Sequence, residues 1–146
     1  MKELELLART IKRVQHQDHR ALDGALRGVG ITLVQWDALR AIGRTPASTA
    51  HDLAVASFQS DQAFGTLANR LEAAGWIERR PGLGRRIEHH LTDAGRAKLD
   101  EGRARANRVW PVLFAALDPG EHEMLQRLLN RLLQDDGAES PVAPGV

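Results

Sequence analysis

Ser60, Gln62, Thr66, Asn69 and Arg70 carry hydrogen-bonding ends at spacings that return to one side of a helix, with Gly65 among them. A helix that reads base edges needs side chains short enough for its backbone to enter the major groove, with donors and acceptors about one turn apart. Gly65 removes bulk where such a helix would approach a duplex, although glycine costs roughly 1 kcal/mol of helix propensity relative to alanine. Shortly afterwards Arg79, Arg80, Arg85 and Arg86 surround a Pro81-Gly82-Leu83-Gly84 turn, with Glu78 and Glu88 as the nearby acids. Arginines at a hairpin tip reach the adjacent minor groove, where negative potential favours them. Hydroxyls such as those of Thr49 and Ser60, together with a helix N-terminus, hold phosphates. A polar-faced helix followed directly by a basic turn points to double-stranded DNA as the partner.

The elements that must position these groups are legible from periodicity and punctuation. Leu4, Leu7, Ile11, Val14, Leu22 and Leu26 recur at helical spacing and predict an amphipathic helix over about 3–27, ended by Gly28 and Gly30. Thr32 with Gln35 is a capping-box pattern opening a helix whose apolar face is Trp36, Leu39 and Ile42. Thr49 with Asp52 repeats the signal for a short helix around Leu53 and Ala54. The next helix spans about 60–74, with Ala63, Phe64, Leu67, Ala68 and Leu71 inward and Gly75 as its stop. Trp76, Ile77 and Ile87 to Leu91 read as two short strands, in which the adjacent His89 and His90 point to opposite faces. Thr92 caps a helix to about Leu117, with Pro111 predicting a kink or break near its end. Asp118-Pro119-Gly120-Glu121 starts a last helix with an apolar stripe of Met124, Leu125, Leu128, Leu129, Leu132 and Leu133. That stripe is wide for a helix covering a small domain. With Leu4, Leu7, Ile11 and Leu113 it predicts a surface shared with another subunit. Residues 137–146 have no periodicity and are expected to be disordered.

Composition narrows the function classes. With 146 residues, 42% of them hydrophobic, the chain fits one domain with a core. Net charge is only +1, so any DNA-binding surface must be a local patch. There are no cysteines, which removes disulfides and thiolate metal sites. His16 and His19 lie three apart beside Asp18 and Asp23, but further ligands for a structural metal are not evident, and no metal site is expected. His51-Asp52 and His122 with Glu121 and Glu123 offer acid-base groups, yet no phosphate loop or nucleophile motif accompanies them, so neither catalysis nor a cofactor is expected. No apolar run approaches bilayer length, and the start Met1-Lys2-Glu3-Leu4-Glu5 lacks the basic-then-apolar design of a signal peptide. The expected location is the cytoplasm, without membrane contact.

Taken in order, Thr32-Leu33-Val34-Gln35-Trp36-Asp37-Ala38-Leu39, Leu53-Ala54, Asn69 to Arg80 and Leu91-Thr92-Asp93-Ala94-Gly95 resemble the MarR family of winged helix-turn-helix transcriptional regulators, over roughly residues 4–135. The resemblance implies a mainly α fold with a small β-hairpin wing and N- and C-terminal dimerisation helices. It implies one domain over 1–136, with a DNA-binding lobe at about 31–92 and dimerisation helices at about 3–27 and 93–135. It also implies a homodimeric repressor on a pseudo-palindromic operator. A small aromatic or anionic effector would bind near the first and second helices, where His16, His19, Trp36 and Arg40 are the candidates. Two departures stand out. The family's wing usually has an acid two residues before an arginine, and here neither Arg85 nor Arg86 has one, so either could enter the groove. Thr66 occupies a position that is often arginine. The alternative reading is a helical interaction module without DNA binding, which would have no need for four arginines around one turn.

Overall fold

The computed structural model describes residues 1–133. The expected disordered tail at 137–146 lies outside them. The chain divides into two compact units, Met1–Val109 and one beginning at Trp110.

The first unit opens with α1 (Lys2–Arg27), α2 (Leu33–Arg44), α3 (Ala50–Ala56) and α4 (Asp61–Ala73). α2 and α3 start at the capping boxes that the sequence announces. Thr32 Oγ1 accepts from Gln35 N–H at 3.2 Å while Gln35 Oε1 accepts from Thr32 N–H at 3.0 Å, and Thr49 with Asp52 repeats that reciprocal pair at 3.3 and 3.2 Å. Strands β1 (Ile77–Pro81) and β2 (Ile87–Leu91) pair antiparallel from Ile77↔Leu91 to Pro81↔Ile87. A bridge at Ser48↔His89 attaches the segment before α3 to the free edge of β2. Then α5 (Asp93–Leu113) begins at a cap in which Thr92 Oγ1 accepts from Gly95 N–H at 3.0 Å.

Leu26, Ile31, Trp36, Leu39, Ile42, Leu53, Phe64, Leu71 and Ile77 form the fully buried centre of this unit. Two glycines of α5 make the close approach possible. A methyl group on Gly102 would sit 2.5 Å from Trp36 Cδ1, and one on Gly95 would sit 2.8 Å from the Trp76 carbonyl carbon. The buried Trp36 indole N–H donates to Leu99 O at 3.1 Å, so α2 and α5 are joined by packing and by a satisfied polar group.

Two expectations are corrected. Ala63 is exposed rather than inward, because the seam Phe64, Leu67, Ala68 and Leu71 follows the i, i+3, i+4, i+7 spacing and Ala63 falls outside it. α5 ends at Leu113 instead of about Leu117. It passes through Pro111, which has no N–H to donate, and the chain then tightens to i→i−3 bonds from Ala115 to Val112 and from Leu117 to Phe114.

In the second unit Asp118 and Glu121 cap α6 (Pro119–Leu133) reciprocally, at 2.9 and 3.1 Å. His122 Nε2 lies 2.9 Å from Phe114 O and its ring meets the Phe114 ring edge-on, which makes it a local brace for the turn. No residue of α6 is buried, and Leu125, Leu128, Leu129 and Leu132 all lie open. The N-terminal half of α1 behaves likewise, with Leu4 at 67% and Leu7 at 53% exposure, although Leu22 and Leu26 are buried. Exposed apolar stripes of this kind mark surfaces awaiting a partner.

Candidate nucleic-acid interface

The buried seam of α4 turns Gln62, Thr66, Asn69 and Arg70 outward, and all four are exposed. Ser60, the N-cap, accepts from Ala63 N–H at 3.1 Å and keeps its hydroxyl proton for another acceptor. Thr66 Oγ1 donates to Gln62 O at 3.2 Å, leaving its oxygen lone pairs and methyl group outward. A β-carbon on Gly65 would meet nothing within 4 Å, so packing inside the chain does not require glycine there. Thr49 caps α3 beside this face.

The wing arginines separate into different roles. Arg79 is half-buried; its Nη2 donates to Asn69 Oδ1 at 2.6 Å and its Nε lies 3.8 Å from Glu72. It therefore bolts β1 to α4. With Oδ1 engaged, Asn69 presents its amide N–H groups as donors. Arg80 pairs with Glu78. Arg86 lies 3.9 Å from Asp52 of α3, so an acid from another helix stands where the wing itself supplies none. Arg85 is exposed and has no acid within ion-pair distance among the described residues.

Several contributors were not evident from sequence spacing. Asp52 was legible as the cap partner of Thr49, but its second partner is 34 residues away and no local pattern announces it. His51 Nδ1 lies 2.9 Å from Asp61 Oδ1, linking α3 to the first turn of α4. The hydrogen bond that Asp61 accepts from the ring, and then its charge, raise the His51 pKa above its ordinary value. The Asp52 pKa is lowered, chiefly by its hydrogen bonds with Thr49, then by Arg86 and His51. His89 is buried and within hydrogen-bond reach of Ser48 O at 3.0 Å; burial lowers its pKa, so it braces the sheet as a neutral ring while His90 pairs with Glu88.

The effector candidates are dispersed. His16 is exposed in an open groove lined by α1 alone. Trp36 belongs to the core at 1% exposure, which corrects its reading as a ligand platform. Arg40 stacks over the Trp36 ring at 4.6 Å and reaches Asp37 at 3.4 Å. Burial raises the Asp37 pKa against the lowering influence of Arg40, His19 and Arg44, which brings His19 into the same electrostatic neighbourhood. Beside this cluster lies a cleft of about 350 Å³ between α2, β2 and α5. Arg40, Arg44, Arg96 and Arg103 ring it, Leu91 and Leu99 contribute apolar surface, and Asp100 is its acid. Asp100 is 3.7 Å from Arg103, whereas neither Arg44 nor Arg96 has an acid within ion-pair distance among the described residues. No group of three His, Asp or Glu residues that could hold a metal ion occurs among the described residues.

Known proteins share this arrangement. A model of the MarR family matches residues 29–87, the stretch from just after α1 to the first residue of β2. The HTH-type transcriptional repressor Rv2887 of Mycobacterium tuberculosis is 28% identical over 116 residues, covering 78% of this chain and 84% of that protein. The solved structure of a MarR mutant from E. coli complexed with operator DNA superposes with a TM-score of 0.83 at 25% identity, covering 90% of this chain and 96% of that one. Rv2887 complexed with p-aminosalicylic acid superposes with a TM-score of 0.73 at 26% identity, covering 86% and 97%.

Proposed function

Because the chain belongs to the MarR family, we propose that it is a homodimeric winged helix-turn-helix repressor that binds a pseudo-palindromic operator and is released by a small aromatic or otherwise anionic effector. The observation that carries this reading is the placement of the α4 polar face beside a wing whose Arg85 is uncommitted, with Arg79 joining the two elements. Gln62, Thr66 and Asn69 would read base edges, Arg70 and the hydroxyls of Thr49 and Ser60 would hold phosphates, and Arg85 would enter the minor groove. Recognition of this kind involves no bond making, so the protein acts as a regulator without catalysis. Residues 1–136 act as one functional domain. Its dimer surface would use Leu4, Leu7, Ile11, Leu113, Leu125, Leu128, Leu129 and Leu132. No described helix is long and apolar enough to cross a membrane, and an operator-binding protein of this class works in the cytoplasm.

The effector reading moves from His16, His19 and Trp36 to the arginine-lined cleft that Arg40 helps to form. Guanidinium groups above an apolar floor suit a planar carboxylate, which accepts forked hydrogen bonds while its ring packs on leucine. Salicylic and p-aminosalicylic acids, with which Rv2887 has been solved, are the natural probes.

Selection of bound fragments from random duplexes tests the reading directly. The expected product is an inverted repeat with half-sites about 10 bp apart. Its affinity should fall steeply with salt. Enrichment of no sequence, or of a single unrepeated half-site, would overturn the operator-binding dimer.

A further inference from the structure

Phe58 stands where the chain turns from α3 into α4. Its side chain is 98% exposed and its φ is +56°. At this turn Phe58 N–H donates to Val55 O at 3.3 Å and Gln59 N–H donates to Ala54 O at 2.9 Å. That pair of bonds closes a helix through a residue in the left-handed region, where glycine is favoured because it has no β-carbon. The same pair closes α1 at Gly30 and α4 at Gly75, with φ of +78° and +77°. Only at α3, of these three turns, does a side chain occupy the position. Its β-carbon crowds the backbone, and its ring buries almost nothing in the chain that could offset the strain. Strained residues that the fold does not reward gather at functional sites.

We infer that Phe58 is a sequence-determining residue that lays its ring against a thymine C5 methyl group at the entrance of α4. The inference rests on the operator-binding reading above. Ser60, two residues further on, caps α4, and the N-terminal residues of a recognition helix lie nearest the base edges. His51 and Asp61 at this entrance are paired with one another, and the Ser60 oxygen already accepts from Ala63 N–H. The thymine methyl is the one apolar feature that a base pair presents in the major groove; the others are hydrogen-bond donors and acceptors that a phenyl ring cannot satisfy.

The test uses the full 146-residue chain, the selected duplex, and duplexes in which each thymine in turn is replaced by deoxyuridine, which removes only the methyl. For the unsubstituted protein, one such replacement made in both half-sites should weaken binding about sixteenfold, about fourfold for each buried methyl group. Phe58→Gly should show a loss of similar size on the thymine duplex and no response to that replacement. Its thermal midpoint should rise, because glycine accepts the left-handed backbone. A Phe58→Gly protein that keeps full affinity and the methyl response overturns the inference, as does an unsubstituted protein indifferent to every replacement. A fall in the midpoint would show that the ring supports the fold, and a changed oligomeric state would assign it to a protein contact. Either result also overturns the inference. An unsubstituted protein that selects no duplex would instead remove the operator-binding reading itself.

Discussion

Arg85 and Arg86 are neighbours of one type, and only their partners distinguish them. Arg86 is within 3.9 Å of Asp52, while Arg85 projects with no acid within ion-pair distance among the described residues. Arg85→Ala should therefore weaken binding to all duplexes nearly equally and reduce the steepness of log affinity against log salt by about two, one for each wing of the dimer. Arg79→Ala should act differently: losing the 2.6 Å bond to Asn69 frees the wing from α4, so discrimination between operator and scrambled duplex should fall along with thermal stability. Equal salt slopes for Arg85→Ala and the unsubstituted protein in fluorescence titrations would remove Arg85 from the groove. His51 offers a second residue-scale lever. Its folded pKa is raised by Asp61, so below that raised value the imidazolium neutralises a carboxylate at the entrance of α4. As pH rises through it, Asp61 is left uncompensated near the phosphates, with Asp52 still partnered by Arg86. Operator affinity should fall across that window, and Asp61→Asn should flatten the profile. The small stabilisation from the pair has the same sign, present below the unfolded pKa and lost as pH rises. A flat profile for the unsubstituted protein between pH 5.5 and about 8, the range in which an unpaired histidine titrates, would refute the role of His51.

At the scale of elements, caps and stops were the most legible features. Thr32, Thr49, Thr92 and Asp118 all cap the helices that their neighbours announce, because capping is settled within four residues. Contacts across the chain were far less legible. Nothing near Trp36 announces that its N–H is satisfied by Leu99 O, so an aromatic on the apolar face beside Arg40 also stood among the ligand candidates. The role of Arg79 was hidden for the same reason, since its partner Asn69 lies on the preceding helix and itself looked like a DNA contact. Gly102 exposes the limit most clearly. Glycine lowers helix propensity, yet a β-carbon there would collide with the Trp36 ring. Gly102→Ala, which raises helix propensity, should nevertheless destabilise the protein by about 1–3 kcal/mol through overpacking. Gly65→Ala, facing open space, should stabilise the free protein by up to about 1 kcal/mol. Chemical denaturation of both variants provides the comparison, and stabilisation by Gly102→Ala would contradict the packing assigned to α5.

For the whole molecule, the question is how occupation of the arginine cleft reaches the operator. A ligand alters DNA binding only through the difference in its affinity for the DNA-competent and incompetent forms; a tenfold effect requires about 1.4 kcal/mol of that difference. The cleft is suited to such coupling because its walls come from α2, from the end of β2 and from α5, so an anion drawn between Arg44 and Arg96 changes the balance of forces between the wing and the long helix behind it. Arg44 and Arg96 line the same cleft and neither is ion-paired among the described residues, so a carboxylate that enters it gains attraction from both. Replacing Arg44 and Arg96 together with glutamine should therefore abolish release of DNA by salicylate while leaving affinity without salicylate within about twofold, since neither residue lies on the α4 face or the wing tip and surface changes of this kind have small effects. Linkage adds a stricter requirement. Operator DNA must weaken salicylate binding by the same factor by which salicylate weakens DNA binding. Calorimetric titration of salicylate into free and operator-bound protein measures that factor; equal affinities would show that salicylate does not act on operator binding, and unchanged release in the double variant would place the effector outside this cleft.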